Sequence, residues 1–318
     1  MTAPKSALSG IQKVLGKSPY QAHAGCCTWL NGVFWIRILA TLPNGNLVIE
    51  NLHDVGKIAI KKVEWVIEPD LVYPLLRGRD VHRWRAEPSA HIILAQDPKT
   101  RRGIPESVMV LKYPKTFSYF KQFEGDPKNP EHGALRGRSG YRKYFNPTDP
   151  FYSMYNVGPY TMSKWKVLWP EVGHSVRASV CGPTRGKESK PSLPDHTIIV
   201  IPCDTAKEAY YVAGMLNSSP AQIAVRSYIV LHPSPHILEH IHIPRFNPEN
   251  RLHVHLAEIS RQCHLNRGPE EMEEQIDRAA ARIWRVNLAE LRAIQEALSE
   301  LSGGNPSGED PDNPGDED

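Results

Sequence analysis

The chain has 318 residues, of which 40% are hydrophobic and 23% charged, a composition ordinary for a soluble globular protein with one large domain or two smaller ones. Its five cysteines include no Cys-x-x-Cys pair, so we expect no disulfide framework, no cysteine zinc site and a cytoplasmic location. No apolar run approaches the ~20 residues that span a bilayer, so we expect no membrane partner. The net charge is +3, but residues 303–318 hold six acids and no Lys or Arg, so the rest of the chain is more basic and weakly favours a polyanionic partner.

Strand patterns dominate the first 203 residues. Apolar runs at 32–42 and 47–52 flank Asn44-Gly45, a dipeptide typical of hairpin turns because both of its residues accept positive φ. Further strands are predicted at 57–67, 91–95, 165–169, 175–181 and 197–201. Residues 1–18 are expected to be a short irregular or helical lead-in, and a helix is predicted over 106–123, with Pro114 near an end or at a kink.

After Cys203 the apolar residues recur at the spacing of helices. Thr205 is a predicted N-cap, Asn247 is another, and Asn287 with Glu290 has the pattern of a capping box. The predicted helices run over 207–216, 220–228, 248–264, 269–284 and from 287 to Gly303.

This order of elements predicts an α+β fold, with a β-rich body followed by a helical C-terminal part. We divide the chain into a β-rich target-recognition part at 1–203, a helical part packed on it at 204–302, and an acidic tail at 303–318. The tail is rich in Gly and Pro and lacks apolar residues to bury, which predicts disorder.

An arginine-rich loop follows the third predicted strand. It places Arg77, Arg79, Arg83 and Arg85 within nine residues. Guanidinium groups so close together suit phosphates or guanine edges. A solvated surface turn, with structural pairing of Arg and Asp80, explains the pattern equally well.

Aromatic residues are concentrated between Tyr141 and Trp169, where nine of 29 residues are Tyr, Phe or Trp. Arg136, Arg138, Arg142 and Lys143 precede or begin this stretch. Cations that pair with phosphates, next to rings that stack on bases, are typical of a nucleic-acid surface. The alternative is that the rings fill the core of a β-rich domain while the cations are solvated.

Asp149-Pro-Phe-Tyr152 is close in spelling to the Asn/Asp-Pro-Pro-Tyr/Phe motif of amino-group DNA methyltransferases, with Phe151 in place of the second proline. The chain has no Gly-rich turn between a strand and a helix that could hold S-adenosylmethionine. We therefore expect no cofactor and no methyl transfer by this chain alone.

Two further motifs suggest metal chemistry. Asp70, Asp97 and Lys99 fit the loose pattern of metal-dependent nucleases, although Pro98 interrupts the strand that this pattern requires. His236 and His240 fit the H-x-x-E-H spelling of metallopeptidases, but flanking prolines leave too little helix to hold both ligands. The nuclease remains an alternative function, and we interpret the histidines as structural or surface residues.

Several stretches together resemble one known family, the TaqI-like C-terminal target-recognition region of adenine-specific DNA methyltransferases, which also occurs in fused restriction–modification enzymes of the Eco57I type. The stretches that carry the resemblance are GVFW at 32–35, VYPLLRGRDV at 72–81, residues 151–169, MLNS at 215–218, IHIP at 241–244 and the segment from IDR at 276–278 to LAEL at 288–291. The resemblance covers nearly the whole chain up to about residue 300.

The resemblance implies a module that lies along double-stranded DNA and reads bases, while a separate catalytic subunit methylates the N6 of adenine. This chain lacks that catalytic half, so it is not expected to be catalytic alone. A further alternative is a protein-interaction subunit without intrinsic DNA binding. The residues expected to contact DNA are Arg77, Arg79, Arg83, Arg136, Arg138, Arg142, Lys143, Tyr152, Tyr155, Tyr160 and Lys164.

Overall fold

The computed structural model describes residues 7–58, 60–126, 134–183, 189–228 and 233–303. Strands lie before residue 204 and most of the long helices after it, which confirms the predicted α+β class. In the part of the chain described, no helix combines the length and apolarity that crossing a bilayer requires. The predicted disordered tail lies outside the described residues, apart from Gly303.

The strands are β1 (His23–Ala24), β2 (Trp35–Thr41), β3 (Leu47–Asn51), β4 (Glu64–Ile67), β5 (Val72–Leu76), β6 (Val81–His82), β7 (Arg85–Ala86), β8 (Ala90–Ile93), β9 (Gln96–Asp97), β10 (Arg102–Gly103), β11 (Trp165–Pro170), β12 (Ser179–Cys181), β13 (Leu193–Pro194) and β14 (Ile198–Cys203). The helices are α1 (Leu8–Val14), α2 (Asn31–Phe34), α3 (Glu106–Lys112), α4 (Pro114–Lys121), α5 (Ser139–Tyr144), α6 (Ala206–Asn217), α7 (Ser219–Tyr228), α8 (Arg251–Asn266), α9 (Glu270–Ile283) and α10 (Leu288–Gly303).

The larger sheet has the order β13-β5-β8-β2-β3-β4 among the described strands, with β13 parallel to β5 and the other pairs antiparallel. The hairpin predicted at Asn44-Gly45 joins β2 and β3, and Gly45 takes a φ of +84°, which costs a glycine little. Of the strand predicted over 57–67, the described residues form only β4, and position 59 lies outside the described residues.

One face of this sheet packs against α3 and α4 in a core that includes Phe34, Tyr119 and Phe120. The predicted break at Pro114 separates these two helices. No side chain within α4 caps its start; instead the Glu68 carboxylate accepts hydrogen bonds from the backbone N–H groups of Lys115 and Thr116. A carboxylate at a helix N-terminus satisfies free N–H groups and complements the helix dipole.

The second sheet has the order β1-β14-β11-β12, all antiparallel. It shares a core with α1 and the helices that follow residue 205, through side chains such as Trp169, Ile201 and Met215. The boundary at residue 203 thus divides the chain by secondary structure, whereas β11, β12 and β14 belong to the core that the helices form.

Two of the three predicted helix caps are found at the predicted residues. The Thr205 hydroxyl accepts from the N–H of Glu208 at the start of α6. Before α10, the Glu290 N–H donates to Asn287 Oδ1 and the Asn287 N–H donates to Glu290 Oε2, which completes the capping box. The prediction for α8 is three residues early, because Asn250 rather than Asn247 caps it.

Candidate nucleic-acid interface

Arg138, predicted to contact DNA, is instead a buried structural residue with 2% of its surface exposed. Its guanidinium donates to the carbonyl oxygens of Thr28 and Phe151, each at 2.6 Å, and of Leu135 at 2.9 Å. The rings of Phe34 and Tyr141 flank it. Since every face of the group is used inside the protein, Arg138 cannot reach a DNA phosphate.

Arg136 is mostly committed to an internal ion pair. Its guanidinium donates twice to Glu124 Oε1, at 3.0 and 2.7 Å, and lies over the ring of Phe151. Burial alone raises the pKa of Glu124, but hydrogen bonds from Lys121 and Arg136 outweigh it, so the pKa of Glu124 is lowered. Arg136 therefore neutralises a buried carboxylate, and we remove it from the expected DNA contacts.

In the loop at 77–85, the structural alternative describes Arg77 correctly. Arg77 is buried, its N–H and Nε donate to Asp80 Oδ2, and its Nη2 donates to the Ser89 hydroxyl at 2.6 Å. Arg83 pairs with Glu273 of α9 and donates to the Asn217 carbonyl oxygen at 2.8 Å. Both arginines tie the loop to the protein, whereas Arg79 is exposed.

The Asp149–Tyr152 motif is also used structurally. Asp149 Oδ2 accepts from the Asn146 N–H at 2.8 Å, which closes a turn. Phe151 and Tyr152 are fully buried, and the Tyr152 hydroxyl donates to the Ile104 carbonyl oxygen. Burial raises the pKa of Tyr152. The expectation that Tyr152 contacts DNA is wrong, because its ring lies in the core with Phe120.

Two other tyrosines of this region, Tyr144 and Tyr155, are exposed and form an aromatic cluster with the half-buried Trp29. The rings of Tyr144 and Tyr155 stack with centroids 4.7 Å apart, and the Trp29 ring lies 5.7 Å from each. Tyr144 is 48% exposed and Tyr155 is 42% exposed. A bridge of two 3.0 Å backbone hydrogen bonds between Cys27 and Tyr155 holds the two segments together.

The β9–β10 hairpin brings two arginines to this cluster. Arg101 occupies its turn with a φ of +59°, and Arg102 begins β10. The Gln96 carboxamide fixes the hairpin, because it donates to the carbonyl oxygens of Arg101 and Met154 and accepts from the Met154 N–H. The Arg102 side chain is 73% exposed and lies 3.6 Å from Asp149.

A second ring pair stands beside the hairpin. His23 stacks on Tyr160 with centroids 4.0 Å apart and an interplanar angle of 7°. The Tyr160 hydroxyl donates to the Asn156 carbonyl oxygen at 2.7 Å. Burial and the nearby charge of Arg101 lower the pKa of His23, so its imidazole is neutral at neutral pH.

These elements surround an open cleft of about 510 Å³. Both ring pairs contribute to its lining, as do Arg101 and Arg102. Within the described residues, the Arg101 guanidinium has no hydrogen-bond or ion-pair partner, which leaves its five donors for a ligand. The cleft thus combines aromatic faces with fixed positive charge.

The other predicted cations lie at the surface. Lys143 is exposed with its Nζ 4.9 Å from the Tyr144 ring centroid, and interaction with Tyr144 raises the pKa of Lys143. Arg142 precedes it in α5, and Lys164 follows the 3₁₀ turn that carries Tyr160; both are exposed. The structure therefore brings Lys143, Tyr155 and Tyr160 to the cleft region, while Arg77 and Arg83 are held elsewhere.

The motifs for metal chemistry are used in other ways. The Asp97 carboxylate accepts from the Lys99 N–H and the Thr100 hydroxyl, which shapes the hairpin turn. His236 pairs with Glu239 in a five-residue 3₁₀ helix, which lacks the length to align two ligands as an α-helix does. No group of three or more His, Cys, Asp or Glu within the described ranges could hold a metal ion.

Sequence reasoning missed Trp29, Tyr144, His23, Arg101 and Arg102 as site residues. Tyr144 belongs to the aromatic stretch, and the pair Arg101-Arg102 is visible in the sequence as part of a polar loop. Trp29 and His23 lie more than 100 residues before the aromatic stretch, so only the folded chain reveals their proximity.

The sequence matches no protein-family model and no curated protein. Among solved structures, the fold is similar to part of the Type IIL restriction-modification enzyme MmeI in complex with DNA. The TM-score is 0.47 at 10% sequence identity, over 91% of this chain and 37% of that one. This chain therefore spans little more than a third of that chain.

Proposed function

We propose that this chain is a DNA-binding, target-recognition module of an N6-adenine DNA methyltransferase or restriction–modification system. The observation that carries the proposal is the cleft that Arg101 and Arg102 line together with the exposed Tyr144–Tyr155 pair. Stacking rings beside exposed guanidinium groups match the two parts of a nucleic acid, its bases and its phosphates.

The charges around the cleft support an anionic partner. Arg101, Arg102 and Lys143 are exposed there, while Asp149 offsets part of the charge through its contact with Arg102. A phosphate that approaches Arg102 competes with a partly exposed ion pair, which is worth little in water. Arg142 and Lys164 extend the positive surface, and Arg79 is a further exposed cation of the loop at 77–85.

The rigidity of the cleft supports recognition rather than adventitious charge attraction. Gln96 binds the hairpin to the segment at Met154, and the Cys27–Tyr155 bridge fixes the next residue along that segment. Groups held in place lose less conformational entropy on binding. Fixed hydrogen-bond donors suit the reading of base edges, which needs defined geometry.

The proposal that the partner enzyme methylates adenine rests on the family resemblance. The stretches that carry it follow one another along the chain from 32–35 to 288–291. The same resemblance supports a separate methyltransferase subunit as the protein partner. Double-stranded DNA is then the substrate on which the two proteins meet.

The test is fluorescence anisotropy of the purified chain with labelled duplex DNA at low salt, together with a plasmid digest in Mg²⁺. We expect binding, and we expect the plasmid to stay intact. Absence of binding at low salt contradicts the proposal and favours a protein-interaction subunit. Mg²⁺-dependent cleavage that disappears in Asp97→Asn favours the nuclease that Asp70, Asp97 and Lys99 suggest.

A further inference from the structure

The cleft between the hairpin and the aromatic cluster is concave. Contact with a DNA backbone alone does not require such a shape. Its volume of about 510 Å³ lies within the ~300–1,000 Å³ of pockets that enclose small ligands. A regular duplex presents its bases only by their edges in the grooves, so rings inside a pocket cannot stack on paired bases. A base must leave the helix to reach these rings.

The polar groups of the cleft suit the edge of a nucleobase. Asn146 and Asn156 both line it, and among the described residues neither carboxamide has an intramolecular hydrogen-bond partner. A carboxamide offers two donors and an acceptor, which is the set that pairs with adenine or cytosine edges. Asn156 has a φ of +54°, an uncommon conformation for a residue other than glycine, and such backbone often marks a functional site.

The charged groups are placed for the phosphate of the same nucleotide. Arg101 and Arg102 come from one hairpin turn, and both line the cleft together with Tyr144 and Tyr155. The pocket thus offers one group for each part of a nucleotide. A ring face can stack on the base, a carboxamide can pair with the hydrogen-bonding edge of the base, and a guanidinium can bind the phosphate.

From this juxtaposition we infer that the cleft holds one unpaired nucleotide of a bound duplex, with its base against the Tyr144–Tyr155 pair, its polar edge on Asn156 and its phosphate on Arg101 or Arg102. The inference rests on the proposed DNA-binding function and adds a specific ligand to it. It implies that a nucleotide already displaced from the helix binds more tightly than a paired one, because the cost of unpairing has been removed.

The test compares a fully paired duplex with one that carries a single-nucleotide bulge, and 2-aminopurine at the bulge reports stacking through its fluorescence. For the wild type we expect the bulged duplex to bind about tenfold more tightly than the paired one, which is within the usual contribution of one base–aromatic stack. We also expect binding to quench the 2-aminopurine fluorescence. Tyr155→Leu and Asn156→Ala should each reduce the preference for the bulged duplex over the paired one several-fold. Trp65→Leu is the matched control, since Trp65 is an exposed ring on β4 outside the cleft lining.

Each outcome has a distinct meaning once the variants are shown to melt like the wild type. Equal affinity for the two duplexes overturns the nucleotide-binding inference but leaves the DNA-binding proposal standing. A preference that persists in Tyr155→Leu with unchanged 2-aminopurine fluorescence also overturns it, because the protein then senses only the flexibility of the bulged helix. Failure to bind either duplex at low salt overturns both proposals.

Discussion

The indole ring of Trp29 occupies the space that a side chain at position 140 would need: a Cβ placed on Gly140 would lie 1.9 Å from the ring. Trp29 is also held in a left-handed conformation, with a φ of +52°. The close approach of α5 to the Trp29 loop, which builds the aromatic cluster, therefore depends on a glycine at that position.

Gly140→Ala should displace Trp29 and loosen its contacts with Tyr144 and Tyr155. We expect a destabilisation of about 1–3 kcal/mol, as for other overpacked sites, and a changed near-ultraviolet circular dichroism spectrum. Gly45→Ala serves as a control, because a Cβ there meets nothing within 4 Å and any cost comes from its positive φ alone. An unchanged aromatic spectrum in Gly140→Ala would contradict the close packing.

Arg138→Ala should destabilise the protein by at least about 3 kcal/mol, because it leaves the buried carbonyl oxygens of Thr28 and Phe151 without their donors. The exposed neighbour Arg142→Ala should cost less than about 1 kcal/mol, the upper range for an interaction at the surface. Urea denaturation measures both. Equal stability of the two variants would contradict the structural role of Arg138. Loss of DNA binding in Arg138→Ala is evidence of DNA contact only if the variant is folded.

Asn217→Ala should cost about 2–3 kcal/mol, since the Asn217 carboxamide both donates to the Ala178 carbonyl oxygen and accepts from the Ala178 N–H. Asn217→Asp keeps the acceptor but places a buried carboxylate oxygen against the Ala178 carbonyl oxygen, so we expect a loss at least as large. Thermal unfolding of the three proteins gives the order. An Asp variant as stable as the wild type would show that the donated bond contributes little.

The stability should fall at acid pH because of His264. Its Nε2 accepts from the Val180 N–H, so Nδ1 carries the proton and donates to the Ser260 carbonyl oxygen. Burial lowers the pKa of His264 to about 4. The unfolded chain therefore takes up a proton first, and stability present above about pH 6.5 is lost as pH falls towards 4, by up to about 3 kcal/mol.

His264→Gln can still accept from Val180 but does not titrate. Its urea midpoint should fall less than that of the wild type between about pH 7 and pH 4. His91 and His253, whose pKa values burial also lowers, are present in both proteins and cancel in the comparison. Parallel pH profiles for the two proteins would show that His264 does not titrate in this way.

The elements that local chemistry specifies could be predicted from the sequence. The Asn44-Gly45 hairpin, the break at Pro114 and the caps at Thr205 and Asn287 each depend on residues a few positions apart. Of the strand expected over 57–67, the described residues form only β4, Glu64–Ile67. An alternating pattern of apolar residues does not by itself provide a neighbouring strand to pair with.

The candidate site was only partly predictable, since exposure depends on the fold. Arg138 and Arg142 are four residues apart and look alike in sequence, yet one is buried among carbonyl oxygens and the other is at the surface. Tyr152 and Tyr155 differ in the same way. Long-range pairs such as His23 with Tyr160 carry no local signal that a single sequence could reveal.

The most direct test of DNA binding by the cleft is the salt dependence of duplex affinity for Arg101→Ala/Arg102→Ala. The control is Arg261→Ala/Arg278→Ala, which removes two exposed cations of α8 and α9 that, like Arg102, each pair with a carboxylate. We predict that the plot of log affinity against log salt becomes less steep by about 0.9 for each phosphate that the variant no longer neutralises. The decrease in steepness is therefore up to about 1.8 in the cleft variant. In the control, the slope stays at the wild-type value. Equal slopes for the wild type and the folded cleft variant would contradict the proposal.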